Sequence, residues 1–378
     1  MAEPKNHKNL LSTLGLMSIL FSIPIVLSVI LYRSDDFDPV PLPGGDYFYS
    51  LPSVAVPEHR DQILRDSERV GEGLLPGPED LAYDAENGLV YTGCLDGWIR
   101  RVWLAGKDEL KVEDWVHIGG RPLGLAFAPD RSLVVADAHK GLLRVKPDGN
   151  VELLTDEAEG LKFGLTDGVD VASDGLIYFT DASYKYSLEM HMMDILSGRP
   201  HGRLISFDPS TNRTVVLVRD LYFANGVALS PDQKSLIFCE SVLRRCRRYY
   251  IHGEKKGTID DFIENLPGFP DNIHNDGEGR YWIGLSAGRT LIMDTLFKYP
   301  ILRKFVVSLE KFVAVPLNLK DSGVLSVSLE GQLLSLYSDP GLVLATSGLK
   351  IGKHLYYGSL HKSYISRIDL TRSGASSN

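Results

Sequence analysis

From Pro78 onward the chain alternates apolar and polar residues in short runs broken by Asp/Gly turns, and the same arrangement keeps returning. Each unit has a polar opening, an alternating strand, a turn, a second strand ending near Asp, Glu or Gly, and then a third strand. The instances are "PEDLAYDAENGLVYTGCLDGWIRRV" from Pro78, "PLGLAFAPDRSLVVADAHKGLLRV" from Pro122 and "TDGVDVASDGLIYFTDAS" from Thr166. "ANGVALSPDQKSLIFCESVLRRCRRYYI" from Ala224 and "PDNIHNDGEGRYWIGLSAG" from Pro270 follow. A weaker sixth unit joins "SGVLSVSLEGQLLSLYSD" to "KIGKHLYYGSLHKSYISRIDL". Period-two alternation, turns at "SDG", "SPDQ" and "DGEG", and a repeat of roughly 45 residues predict an all-β, six-bladed β-propeller over residues 58–372. A doubly wound α/β sheet is disfavoured, because no long helical pattern regularly separates the strands.

Two segments break the rhythm with helical spacing: "YSLEMHMMDILSGRPHG" after the third unit and "RTLIMDTLFKYPILRKFVVSLEKFVAV" after the fifth. They are expected as short helical insertions, over one mouth of the propeller, against a membrane, or as ordinary packing helices. The N-terminus has a different pattern. Residues 10–32 carry no charge, and about 20 apolar residues suffice to span a bilayer. Lys5 and Lys8 precede this run, while Asp35, Asp36 and Asp38 follow it with only Arg33 to offset them. The charge asymmetry predicts a cytosolic tail over residues 1–9, a transmembrane signal anchor over 10–32, and a body in the lumen or outside the cell. A cleaved signal peptide is the competing reading, but the run exceeds the usual apolar length and lacks a small-x-small exit. Residues 33–57, rich in Pro, Gly and Asp, read as a linker.

In a propeller the first strand of each blade lines the axis, so equivalent strand openings face one another. Here they carry Glu79 and Asp80, Thr166 and Asp167, Asn225, and Asp271 with Asn272. Carboxylates mixed with amide oxygens are hard ligands, suited to Ca²⁺ rather than Zn²⁺. Any single Asn-Gly or Asp-Gly is an ordinary turn former; recurrence at equivalent positions is what points to metal. An EF-hand reading of "DNIHNDGEG" fails, since Ile273 and Asn275 do not fit the alternating oxygen positions.

Composition adds limits. The 378 residues are 44% hydrophobic and 24% charged, with a formal net charge of -9. This mildly acidic balance argues against nucleic acid as a partner, and the arginines of "VLRRCRRYY" (Arg244, Arg245, Arg247, Arg248) read as a solvated strand face. Asn212 opens the sequon "NRT" in a turn-like stretch, which fits a secretory route through the endomembrane system toward endoplasmic reticulum, vacuole or cell surface. Three cysteines are too few for a disulfide scaffold; Cys239 and Cys246 are placed to pair across a hairpin, leaving Cys94, and the sequence leaves that pairing open.

The stretches "GRPLGLAF…VVADAHKGLLRV", "IYFTDASYKYS", "FANGVALSPD" and "NLPGFPDNI…YWIG" resemble the strictosidine synthase-like family, including its adipocyte plasma membrane-associated members and their plant relatives. The likeness covers nearly the whole chain and extends distantly to paraoxonases and gluconolactonases, six-bladed calcium propellers with lactonase or arylesterase activity. It implies a central Ca²⁺ held by Glu79, Asn225, Asp271 and Asn272, with Thr166 where the relatives carry asparagine. It further implies a second, structural calcium at Asp80 and Asp167.

The implied activity is calcium-dependent hydrolysis of a small-molecule ester or lactone, which needs a nearby base. The paraoxonase histidine pair is absent, its positions falling on Pro122 and Asp137, so Asp137 and His139 stand as catalytic candidates. The alternative is a calcium-containing propeller that binds ligands or partners without turnover. Strictosidine synthase proper condenses an amine with an aldehyde using a glutamate in its last blade. The matching position here is near Thr346, so that condensation is not expected. "GLSAG" fits G-x-S-x-G around Ser286, but it follows a propeller strand without an ordered Asp…His set, so Ser286 is not expected to be a nucleophile.

Overall fold

A computed structural model describes residues 36–44, 54–104, 111–310 and 319–371. Six four-stranded antiparallel blades form the body, one of them carrying an additional strand. The first hairpin of four successive blades is built the same way. Asp130, Asp174, Asp232 and Asp276 each accept, through Oδ1, the backbone N–H two residues on. The aspartate side chain thereby closes the turn that the sequence repeats as an acidic tight-turn motif.

Blade strands carry apolar residues on both faces, because each face meets a neighbouring blade. Ile99 and Tyr91 of the first blade pack with Leu125 and Val135 of the second. Phe179 and Ile205 of the third pack with Val134 and Leu142 of the second. Equivalent clusters fill the remaining inter-blade spaces, ending where Tyr356 and Ile365 of the last blade meet Val90 and Val102 of the first. Burial of this kind contributes about 25 cal/mol per Å² of apolar surface removed from water, so each blade is stabilised by its neighbours.

The ring is closed by strands from opposite ends of the chain. Glu68–Val70 pairs antiparallel with Ile365–Asp369 as the outer strand of the last blade. Glu58–Arg60 adds parallel to Leu333–Asp339 at the edge of the fifth. This corrects the predicted sixth unit. Strands Ser322–Ser328 and Leu333–Asp339 complete the fifth blade, and only Leu349–Ile351, His354–Tyr357 and Ile365–Asp369, with the N-terminal strand, form the sixth.

Both insertions leave their blades between the second and third strands, which places them on the same mouth. The first contains α1 (His191–Ser197); the second contains α2 (Leu291–Lys298) and α3 (Pro300–Glu310). Leu196 of α1 and Val307 of α3 pack together with Phe37, and Arg303 Nη1 donates to Leu196 O at 2.9 Å, a cation at the carbonyl end of α1. Asp194 fixes α1 to the third blade, accepting from Ser183 Oγ at 3.0 Å with His201 Nδ1 at 2.6 Å. Met293, Leu296 and Phe297 of α2 pack on Leu123, Leu165, Phe223 and Phe269 at the mouth. The insertions therefore roof one end of the axial channel.

The anchor predicted over residues 10–32 lies outside the described residues; among the described ones, no helix is long and apolar enough to cross a membrane. Cys239 and Cys246 face each other across a hairpin and form a disulfide, and Cys94 is free and buried. Asn212 sits exposed in a turn with φ 51°. The arginine run is not the solvated face its alternation suggested. Arg244 is buried, Arg245 pairs with Glu240 at 2.7 Å, and Arg248 lies over the Phe262 ring.

Candidate functional site

The strand openings do converge on the axis, and glycines make the convergence possible. A Cβ on Gly168 would stand 2.8 Å from Asn225 O, and one on Gly226 would stand 2.6 Å from Asp271 O. Neighbouring inner strands thus approach backbone to backbone immediately beside the polar side chains, which only residues without a Cβ allow.

Glu79, Asp167, Asn225 and Asp271 meet at the inner end of a cavity whose walls are Leu123, Leu165, Phe223 and Phe269. His191, Met192 and Ile195 of the first insertion and Met293 of the second roof it. Phe223, a bulky residue held at φ 58°, immediately precedes the strand Ala224–Leu229 that delivers Asn225. All of the polar openings are buried. Asn272 Nδ2 donates to Glu79 Oε1 at 2.7 Å, and the Asn272 backbone N–H donates to Thr346 O at 2.9 Å. The Asn225 side chain hydrogen-bonds Asp271. Glu79 Oε2, Asn225 Oδ1 and Thr166 Oγ1 are buried without any partner.

Electrostatics sharpen this arrangement. Burial, then the charges of Asp271, Asp80 and Asp167, hold the Glu79 carboxyl well above its usual range. Burial and the Asp167 charge do the same to Asp271, and burial with Asp80 and Asp181 pushes Asp167 up to about 7. Among the described residues, no group of three or more His, Cys, Asp or Glu side chains comes together as a metal cluster. What converges is a mixed set, carboxylate with amide and hydroxyl, and its unsatisfied atoms are all oxygens.

Asp80 is otherwise engaged. Its Oδ2 accepts from Leu125 N at 3.0 Å, and its Oδ1 lies 2.6 Å from His274 Nε2. Burial opposes charge on His274, yet Asp80 and Asp170 outweigh it and raise the imidazole pKa. His274, which local sequence does not single out, is the partner of the Asp80 carboxylate. Arg121 is the second residue the sequence reading passed over. It is buried, donates to Gly77 O at 2.9 Å, and its charge works against the raised pKa values of Glu79 and Asp167. An arginine inside "IGGRPLGLAF", at a strand opening, was the available signal.

The two catalytic candidates lie elsewhere. Asp137 Oδ1 accepts the N–H groups of His139 and Lys140, closing a turn, and His139 is exposed with Nε2 2.8 Å from Glu189 Oε1. Neither lines the cavity. Ser286 does line it, with Oγ donating to Phe269 O at 3.3 Å from a strand rather than a nucleophile elbow. His191 is the histidine at the cavity; its Nδ1 lies 2.6 Å from Leu188 O, a contact that places the proton on Nδ1 and leaves Nε2 as an acceptor.

The molecule is a six-bladed propeller with an oxygen-lined axial chamber under a helical roof. The strictosidine synthase family matches over residues 167–254, and the strictosidine synthase-like N-terminal family over residues 60–102. Protein STRICTOSIDINE SYNTHASE-LIKE 7 of Arabidopsis thaliana is 49% identical over 352 residues, covering 93% of this chain and 94% of its own length. The adipocyte plasma membrane-associated protein of Homo sapiens is 33% identical over 387 residues, covering 95% and 89%. The chain belongs to the strictosidine synthase-like family. Among solved structures, a gluconolactonase from Xanthomonas campestris superposes with a TM-score of 0.58 at 17% identity, covering 84% of this chain and 96% of its own. Regucalcin from Agrobacterium tumefaciens, a calcium-binding protein, gives 0.58 at 14% identity, covering 82% and 95%. At such identities these two likenesses concern the fold.

Proposed function

We propose that this protein is a membrane-anchored, luminal, calcium-dependent hydrolase of small apolar esters or lactones. One observation carries the reading: unpartnered buried oxygens of Glu79 and Asn225, beside Asp271, at the inner end of an otherwise apolar cavity. Buried carboxylates held close together are costly, Arg121 offsets that cost only in part because Glu79 and Asp167 stay raised beside it, and a hard divalent cation offsets the rest. Glu79, Asn225, Asp271 and Asn272 would hold Ca²⁺, with Thr166 supplying a hydroxyl. A calcium ion there supplies Lewis-acid polarisation of an ester or lactone carbonyl. Leu123, Phe223 and Phe269 accept the apolar portion of the substrate and exclude water around it. His191, with Nε2 free to accept, takes the proton of the attacking water, the role first assigned to Asp137 or His139. Asp80, tied to His274 and Leu125, supports the wall rather than a second metal.

The anchor over residues 10–32 would place the propeller in an oxidising compartment. The Cys239–Cys246 disulfide and the exposed Asn212 sequon support that placement. A calcium-containing propeller that binds ligands without turnover is the second reading, favoured by Thr166 standing where relatives carry asparagine. Hydrolysis of phenyl acetate and δ-valerolactone, with and without EDTA, by wild type and Asp271→Ala separates them. EDTA-sensitive turnover lost by at least about 100-fold in the variant is expected. Absence of any EDTA-sensitive turnover on either substrate leaves the binding reading.

A further inference from the structure

The segment that follows the anchor is held against the roof helices. Phe37 is buried with Leu196 and Val307, the Val40 N–H donates to Ser197 O at 2.9 Å, and Arg303 Nη2 donates to Val40 O at 2.6 Å. Asp38 takes Arg199 at 2.9 Å, and Leu42 is buried in the apolar cluster at the mouth. From Tyr32, where the uncharged run ends, to Phe37 the chain spans at most about 18 Å fully extended. The six-residue inner strand Thr166–Val171 alone measures about 20 Å, so the opposite mouth lies beyond that reach. An anchor emerging at Tyr32 therefore holds the roofed mouth, and not the other, next to its bilayer.

The surface presented there is apolar. α3 turns Arg303, Val307 and Ser308 inward and leaves Ile301, Leu302 and Phe305 outward, the reverse of a water-facing helix. Leu291 and Ile292 at the start of α2 continue the patch; Leu291 is 82% exposed and Ile301 61%. Exposed aliphatic and aromatic side chains gathered on one short helical hairpin mark an interaction face. Continuity with an anchor a few residues away assigns its occupant.

We propose that the α2–α3 face, centred on Leu291, Ile301 and Phe305, lies in the interfacial layer of the membrane that holds the anchor, so that the cavity opens toward lipid. The proposal rests on the anchor reading given above, and it makes apolar molecules partitioned in the bilayer the ones that reach the chamber. Amphipathic helices bury such faces about 5–10 Å into the headgroup boundary.

The test uses the full chain reconstituted in phosphatidylcholine vesicles, with nitroxide labels on Leu291→Cys, Ile301→Cys and, on a 3–4 loop at the opposite mouth, Glu254→Cys. Labels at 291 and 301 are expected to be several-fold more accessible to dissolved oxygen than to an aqueous nickel chelate, with the order reversed at 254. Nickel accessibility at 291 and 301 equal to that at 254 overturns the proposal. Strong spin–spin broadening at 291 and 301 overturns it too, since it puts a second copy of the chain on this face. Carbonate extraction of the same vesicles tests the anchor separately. If protein is released, the anchor reading falls, and the two lid labels read before extraction still decide whether the face meets lipid.

Discussion

Asn272 Nδ2 donates to Glu79 Oε1 at 2.7 Å, joining the fifth blade to the first across 193 positions of sequence. Glu79→Gln keeps an acceptor for this bond and removes the charge. Because burial and neighbouring carboxylates disfavour the Glu79 charge, the metal-free variant is expected to melt no lower than wild type. The rise in Tm that calcium produces is expected to shrink by at least half. An undiminished calcium shift, read by scanning fluorimetry, removes Glu79 from the ligand set.

The crowded carboxyls also set a pH dependence. Asp167 rises from 3.8 to about 7 through burial and the charges of Asp80 and Asp181. A carboxyl raised by folding stabilises the fold fully below its unfolded value, and that contribution disappears as pH rises through the folded value. In EDTA, stability should therefore fall between pH 5 and 8, and calcium should restore it most at pH 8. Urea midpoints across this window with and without calcium provide the measurement; a metal-free profile that rises with pH contradicts it.

Gly226→Ala places a methyl 2.6 Å from both Asp271 O and Ile273 N. Backbone must move, since no side chain is there to yield. A loss of about 1–3 kcal/mol is expected by urea denaturation, together with weaker calcium binding. Gly341→Ala meets only a side-chain oxygen of Asp339, at 3.2 Å and without a positive φ, so a loss as large there would show that the close approach at Gly226 is not what matters.

His191 and His139 offer opposite outcomes. If His191 accepts the proton of the attacking water, His191→Gln lowers kcat by about 10²–10⁴-fold and leaves the calcium-induced Tm shift intact. His139→Ala, exposed and paired with Glu189, should change kcat less than twofold. Reversed results return the base to the turn at Asp137.

Burial pushes the Cys94 thiol up to about 11, leaving little thiolate at neutral pH. Iodoacetamide should leave native protein unmodified at Cys94 and alkylate it in urea, while Cys239 and Cys246 react only after reduction. Native alkylation of Cys94, read by peptide mass, would contradict its burial.

Much of the fold was legible because period two and acidic turns are local. "SDG", "SPDQ" and "DGEG" closed the hairpins they marked, and Glu79, Asn225 and Asp271 reached one chamber because each opens an inner strand. The fifth and sixth blades were misdivided, since the second insertion separates Arg280–Gly288 from Ser322–Ser328 and alternation names a strand's faces without naming its partner. His139 followed a strand like the others but points out to Glu189, whereas His191, on a helical insertion, gained its position only from the way that insertion folds back.

That this chain makes blades, which residues open them, and that its oxygens suit a hard cation are all written in runs of adjacent residues, because those properties are carried by neighbours in sequence. Folding in three dimensions is what makes Glu68–Val70 close the ring, His274 pair with Asp80, the Arg121 charge act on the acids, and Phe37 bind the segment after the anchor to the roof. Each of these is a pairing between residues far apart along the chain, and such pairings are selected by the mutual burial of whole elements, which no local pattern encodes.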